Sequence, residues 1–390
     1  MFGIVLNVDS IELARSVAIM EDGCCHFSEL VTTLLVGTCR LPPWPRQCDV
    51  DAAVCCGELR RPPEDEEAEF IPLITGSVAE FYIEPMLPSF VGDVDIMFYH
   101  NAMLAIPRGH PPPTQLPAEF HNYVKVYEIT DSHFPGYVYL PLRYLLSQRT
   151  DDGKYEYFEC DEKYHYLSNI PCHVAYNTSV HGPAIFTDSH LLGVSRLNVD
   201  QVRCVRCLLW PPQAADWPTR HRNYDWPDSA TLDRVVSNGC DVVRVAHRLC
   251  RQHEWMGKCQ WRLSFSRAEI VLINSWMPVQ QITYHLLRVY VKTERLTESA
   301  DNPGAGTLSN YHIKTLMLWA CELKPRSWWT ENLNVVRICV ELLHTLSVWL
   351  TDTRCPHYFI CNCNLLTTRS AWEVWQVNSC HSMKSVYQRG

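Results

Sequence analysis

Long apolar runs are missing from this 390-residue chain. Its most apolar stretch, Val335 to Leu350, is interrupted by Arg337, Glu341 and His344. That pattern reads as an amphipathic core helix and falls short of the ~20 apolar residues that cross a bilayer. The segment Met1 to Ser10 has no basic cluster ahead of an apolar stretch, so a secretory signal is not expected. With the signal goes the oxidising compartment in which disulfides persist, and a cytoplasmic location is the default expectation. No internal repeat is evident.

What is present describes an ordinary globular protein. Hydrophobic residues make up 47% and charged residues 20%, enough to bury a large core in two lobes or domains. The 19 cysteines, an odd number, read as reduced thiols that pack like small hydrophobes. The net charge of −9 conceals an asymmetry. Residues 1–200 hold 12 Lys and Arg against 28 Asp and Glu, whereas residues 201–390 hold 22 against 15. Such a basic half can meet a polyanion or simply be solvated surface.

Helical spacing opens the chain at Ile11, Leu13, Ala14, Val17 and Met20 and again at Phe27 to Leu34. The stretch Leu41 to Glu69, with five prolines and the acidic run Glu64 to Glu69, has the chemistry of a linker. From Phe70 short β-rich pieces follow: Phe70 to Ile74, Asp93 to Tyr99, Tyr123 to Ile129 and Leu197 to Leu209. After Thr231 helical spacing takes over, in Thr231 to Val236, Val242 to Arg251, Ile282 to Val291, Tyr311 to Cys321 and Leu333 to Leu350. The expected organisation is N-terminal helices and linker over 1–69, an α/β lobe over 70–230 and an all-helical lobe over 231–390, a mixed α+β fold.

One constellation carries chemistry. Thr75, Gly76 and Ser77 follow a strand-like run and precede the helix-like Val78 to Glu84. A Gly-Ser turn opening a helix lets backbone N–H groups and the hydroxyl approach phosphate oxygens. Asp93 and Asp95 follow in Val-Gly-Asp-Val-Asp-Ile-Met-Phe. Strand alternation puts both carboxylates on one face, where their repulsion favours a divalent cation; the rival interpretation is two acids on a wet sheet edge. A third acid, Asp200, stands in the otherwise apolar Leu-Asn-Val-Asp-Gln-Val. Three carboxylates suit a two-metal nucleotidyl transfer. Cys204 and Cys207 have Cys-x-x-Cys spacing but no second pair, and Cys355, His357, Cys361 and Cys363 form the densest set of potential zinc ligands. Neither group is expected to be a redox or zinc site, and His100 and His110 near the acid pair read as structural and not catalytic.

The order Thr75-Gly76-Ser77, Asp93-x-Asp95-Ile-Met-Phe and Val199-Asp200 resembles the cyclic GMP-AMP synthase and Mab-type nucleotidyltransferase superfamily. Trp261-Arg-Leu-Ser-Phe-Ser266, Ser309 to Thr315, His357 to Ile360 and Asn364-Leu365 follow in that superfamily's order, so the resemblance runs from about residue 70 to about 367. It implies a nucleotidyltransferase lobe with a central twisted sheet, a C-terminal helical lobe and N-terminal helices bridging them. Asp93, Asp95 and Asp200 would hold Mg²⁺ or Mn²⁺, and Asp200 would help deprotonate the acceptor hydroxyl. Thr75, Gly76 and Ser77 would bind the donor triphosphate. Arg262, Ser264 and Ser266 would contact phosphate or base, Glu269 would lie at the acceptor, Tyr311 would stack on a base and Ser309 would sit near the phosphates.

The implied reaction joins two nucleoside triphosphates, ATP and GTP or others, into a cyclic dinucleotide that acts on a STING-type receptor in innate immunity. A catalytically silent, scaffold-like relative is the alternative. Between Asn302 and Leu308 there is no His or Cys to build the zinc-binding insertion of the vertebrate enzymes, so zinc is not expected and double-stranded RNA is favoured over DNA as activator. Arg203, Arg206, Arg220, Arg222, Arg234, Arg244, Arg248, Arg251 and Lys258 are the candidate phosphate contacts. Tyr284 falls where the vertebrate enzyme has a phosphate-contacting lysine.

Overall fold

The computed structural model describes residues 70–81, 94–160, 166–169, 179–181, 184–189, 197–247, 250, 255–293, 308–330 and 335–366. The helices and linker expected over 1–69 lie outside the described residues. The chain forms two compact units. One contains the described parts of Leu41–Thr219 and Ser229–Ser275; the other contains Arg220–Asp228 and the described parts of Trp276–Gly390.

The first unit is a mixed sheet with helices, as the mixed α+β reading expects. Its strands are β1 (Phe70–Thr75), β2 (Val94–Pro107), β3 (Tyr123–Asp131), β4 (Tyr137–Tyr139), β5 (Leu142–Gln148), β6 (Tyr155–Glu159), β7 (Ser179–His181), β8 (Ala184–Ser189), β9 (Leu197–Cys207), β10 (Cys240–Val243) and β11 (Gln260–Ser264). Their order is β1-β2-β3-β4-β11-β10-β9-β8-β7, with β5 and β6 added beside β3. A further pairing of β2 with β9 makes the ladder return on itself.

Strand β2 organises this arrangement. Its Ile96, Met97, Phe98 and Tyr99 are all buried, as in a strand covered on both faces, which is why it reads as a continuous apolar run. Its first half pairs antiparallel with β1 and its second half parallel with β3, while β9 runs parallel to it along the other side. The register with β9 shifts between Tyr99 and Leu104, an irregularity that lets one strand serve two neighbours. Val124 and Val126 of β3 are buried while Tyr123 and Lys125 are exposed, the period of two expected of a half-covered strand. Met97, Tyr99, Leu104, Ile106, Val124, Val126 and Cys204 meet in one core cluster.

The helices of this unit include α1 (Gly76–Phe81), α2 (Ser229–Ser237) and α3 (Ser266–Asn274). Helix α3 buries Ala268, Glu269, Leu272 and Ile273, one face at helical spacing, and packs on α1, α2 and β10. Helical spacing over Val242 to Arg251 is corrected here, because Cys240–Val243 is strand β10, hydrogen-bonded between β9 and β11. All four of its residues are buried, and a short, wholly buried run carries no periodic signature.

The second unit is helical. Helix α4 (Pro278–Thr293) begins at a proline, whose missing N–H is harmless in a first turn. It packs on α5 (Asn310–Leu323), α6 (Arg326–Thr330) and α7 (Val335–Thr351). Helix α7 buries Val335, Ile338, Leu342, Leu346 and Leu350, the stripe expected of the apolar segment singled out in the sequence. Among the described residues no helix is long and apolar enough to cross a membrane.

Candidate functional site

The candidate acids fall on neighbouring central strands. Asp95 of β2 and Asp200 of β9 are register partners in the parallel pair, so their side chains leave the sheet on the same face. Both are half-buried, and Oδ1 of Asp200 is itself buried. On the other side of β2, Asp95 is the antiparallel partner of Thr75, the last residue of β1. The Thr75 hydroxyl donates to the Asp95 carbonyl at 3.3 Å, tying the end of β1 to the acid-bearing residue. Asp93 lies outside the described residues. Among those described, no three His, Cys, Asp or Glu side chains converge as a metal cage, so Asp95 and Asp200 stand as a pair.

Gly76 continues from Thr75 into α1 with φ +63°, the left-handed region. A Cβ added there would lie 1.9 Å from Asp95 Oδ2, so the carboxylate rests directly on the glycine backbone. Ser77 follows in the first turn of α1. Glycine therefore serves twice, for the backbone twist and for the space the carboxylate occupies. A pair of adjacent carboxylates with a cradle that any side chain would fill is the donor chemistry of a hard divalent cation.

The other candidates are distributed over both units. Arg262 is an exposed residue of β11, the register partner of Val243 on β10 and of Tyr137 on β4. Ser264 and Ser266 bring their hydroxyl oxygens to 3.1 Å of each other at the junction of β11 and α3. Glu269 is buried in α3. In the helical unit, Ser309 precedes α5 and its backbone N–H donates to His312 Nδ1 at 2.9 Å. Tyr311 is half-buried, with its hydroxyl 3.3 Å from His357 Nε2.

A buried charge network next to β9 escaped the sequence reading. Asp241 of β10 is fully buried and accepts from Arg267 Nε of α3 at 2.8 Å. The Arg267 guanidinium also lies over the Tyr99 ring, 5.6 Å from its centre. Burial, reinforced by nearby Glu119, pushes the Tyr99 hydroxyl up to about 12. Arg206, the register partner of Asp241, donates to the carbonyls of Cys207 and Cys240 at 2.7 Å each and also to that of Asn238. Burial draws its pKa below the ordinary arginine value. An acid inside the apolar quartet Cys-Asp-Val-Val was the available signal.

This network changes the reading of the basic stretch. Arg206 is committed to backbone carbonyls, and Arg220 and Arg222 both pair with buried Glu322. Arg220 also lies over the rings of Trp319 and Tyr358 at 4.5 and 4.6 Å. These three are structural and not polyanion contacts. Arg234 and Lys258 are exposed; Arg248 and Arg251 lie outside the described residues. The histidine and cysteine groups behave as core or local structure. His357 Nδ1 accepts from the backbone N–H groups of Phe359 and Ile360, and His100 Nδ1 accepts from that of Ala102.

Comparison with known proteins agrees with the architecture. Residues 151–275 match the Mab-21 protein nucleotidyltransferase domain, and residues 281–382 match the Mab-21 protein HhH/H2TH-like domain. Asp200 and the β11–α3 residues lie inside the first match, whereas Thr75, Gly76 and Asp95 precede it. A mab-21-like protein of Aedes aegypti is 30% identical over 164 residues, 42% of each chain, so the match spans less than half of that curated relative's length. Two domains of one family, matched in succession over the sheet unit and the helical unit, establish that the chain belongs to the Mab-21 family of nucleotidyltransferase-domain proteins, within the superfamily that includes cyclic GMP-AMP synthase.

Proposed function

We propose that this chain is a divalent-metal-dependent nucleotidyltransferase that joins two nucleoside triphosphates into a cyclic dinucleotide. The observation that carries the proposal is the register pairing of Asp95 with Asp200, one of whose carboxylates rests on Gly76. Asp95 and Asp200, with Asp93, would hold Mg²⁺ or Mn²⁺. When bound, such an ion neutralises triphosphate charge and makes the acceptor hydroxyl more acidic.

The chain's own groups have separate tasks in this proposal. Gly76 and Ser77 present backbone N–H groups to the donor phosphates at the start of α1. Asp200, the register partner of Asp95, would be placed to help deprotonate the attacking hydroxyl, the role that the resemblance implies for it. Arg262, exposed on β11, and the paired Ser264 and Ser266 supply polar contacts to phosphate or base. Glu269 of α3 would lie near the acceptor, as the resemblance implies. ATP and GTP are the first substrates to test, double-stranded RNA the first activator, and a STING-type receptor the proposed target of the product.

The test is incubation of the purified chain with labelled nucleoside triphosphates and Mg²⁺ or Mn²⁺, with and without double-stranded RNA or DNA. A nuclease-resistant cyclic product supports the proposal, and its absence under every condition refutes the cyclase reading.

A scaffold without catalytic activity is the second reading, and Tyr284 favours it. That side chain is buried, with its ring edge-on to Trp276 at 5.5 Å, where the resemblance calls for a lysine on the donor phosphates. The same incubation separates the two readings, since a catalytically silent scaffold forms no product from nucleoside triphosphates under any of the conditions.

A further inference from the structure

Cys207 and Cys240 face each other as register partners across the antiparallel pair β9–β10. Opposed residues in such a pair have Cα atoms ~4.5 to 5.5 Å apart, inside the range that a disulfide bridges. Both are free thiols and fully buried. We propose that they form an oxidisable cross-strand dithiol, converted by a peroxide into a disulfide that staples β9, the Asp200 strand, to β10.

Three observations support this beyond proximity. The two thiols hydrogen-bond each other, and that bond draws the Cys207 thiol below its ordinary value while raising Cys240. Cys207 is thereby the more thiolate-like sulfur of the two, the property that governs attack. Arg206 donates to the carbonyls of both cysteines, which fixes their backbones against one another and places a positive charge nearby. Finally, Cys207 is the last residue of β9 and Cys240 the first of β10, and Gly239, at φ +61°, immediately precedes Cys240; a Cβ on it would lie 2.3 Å from the Cys207 carbonyl, so the two backbones approach closely here. Both sulfurs are enclosed in the native state, so a small oxidant would reach them through local opening of the β9–β10 pair.

The chemistry balances with hydrogen peroxide as oxidant. The Cys207 thiolate attacks one peroxide oxygen, the O–O bond breaks, and a sulfenic acid and hydroxide form. The Cys240 sulfur then displaces the sulfenic oxygen, which leaves as water while the S–S bond forms. In total two thiols and one peroxide give one disulfide and two waters.

The experiment treats the full chain in its native state with graded hydrogen peroxide, alkylates remaining thiols under denaturing conditions and maps the peptides by mass spectrometry. The expected result is a linked Cys207–Cys240 peptide pair that disappears on reduction and raises the denaturant midpoint of the oxidised chain. Cys207→Ser and Cys240→Ser should each abolish the linked pair. Because the wild-type map is decisive by itself, a variant that fails to fold does not rescue the idea. It is overturned if both cysteines are recovered alkylated and unlinked while exposed Cys361 is oxidised, or if Cys207 is found linked to another cysteine.

Discussion

Gly76 lies beneath the Asp95 carboxylate at a distance that excludes any side chain. Replacing it by alanine combines two penalties, because the residue also holds φ +63°. Gly76→Ala is expected to cost ~1–3 kcal/mol of stability through backbone strain and to displace the Asp95 carboxylate. Nucleotide turnover should fall by more than the stability loss explains; a variant with wild-type turnover per folded molecule would separate Gly76 from the site. Urea unfolding together with the nucleotide assay measures both.

The paired acids predict the opposite balance. Asp95→Asn and Asp200→Asn remove like charges from adjacent strand positions, so the fold should be unchanged or slightly steadier. Product formation should drop by ~10²-fold or more for either, and the double change Asp93→Asn with Asp95→Asn should abolish it. Product that survives the double change would remove these residues from the mechanism.

Glu322 is a purely structural counterpart. Its buried carboxylate accepts from Tyr358 at 2.8 Å and pairs with Arg220 and Arg222. Glu322→Ala would strand two guanidinium groups and should cost ~3–5 kcal/mol. Equilibrium unfolding of the helical unit is the measurement, and a loss below ~1 kcal/mol would mean that solvent reaches the arginines.

The helical unit should be acid-sensitive in a defined window. Burial lowers the pKa of both His285 and His312 from the ordinary 6.5. The unfolded chain therefore binds protons that the folded one refuses, and stability present above pH 6.5 is lost as the pH falls toward the depressed folded values. Thermal unfolding followed at neutral and mildly acidic pH should show the decline, and the double change His285→Gln with His312→Gln should flatten it.

For nucleic acid, Arg234→Ala and Lys258→Ala should each lower the salt slope of double-stranded RNA binding by about 1. Arg206→Met should leave that slope unchanged while destabilising the sheet unit, because its guanidinium is engaged by carbonyls.

The sequence displays what local chemistry governs. Val124 and Val126 alternate with exposed neighbours, and the buried stripe of α7 repeats at helical spacing, so these elements are readable residue by residue. Non-local pairing is another matter: nothing near Asp95 announces that Asp200 stands opposite it, because that register depends on how β2 is shared among β1, β3 and β9. Burial is equally invisible to a charge count. Arg206, Arg220 and Arg222 add to a basic half on paper, yet their donors face inward. Cys240–Val243 resembles any short apolar run, and only its place between two strands makes it one.

The segment Arg220–Asp228 belongs with the helices although sheet-unit residues precede and follow it. During synthesis its arginines leave the ribosome 102 and 100 residues ahead of Glu322, the acid that neutralises them. Until α5 is made, both guanidinium groups wait in water without that acid. A nascent chain halted after Ser275 would therefore carry a stretch whose proper neighbours have not yet been translated.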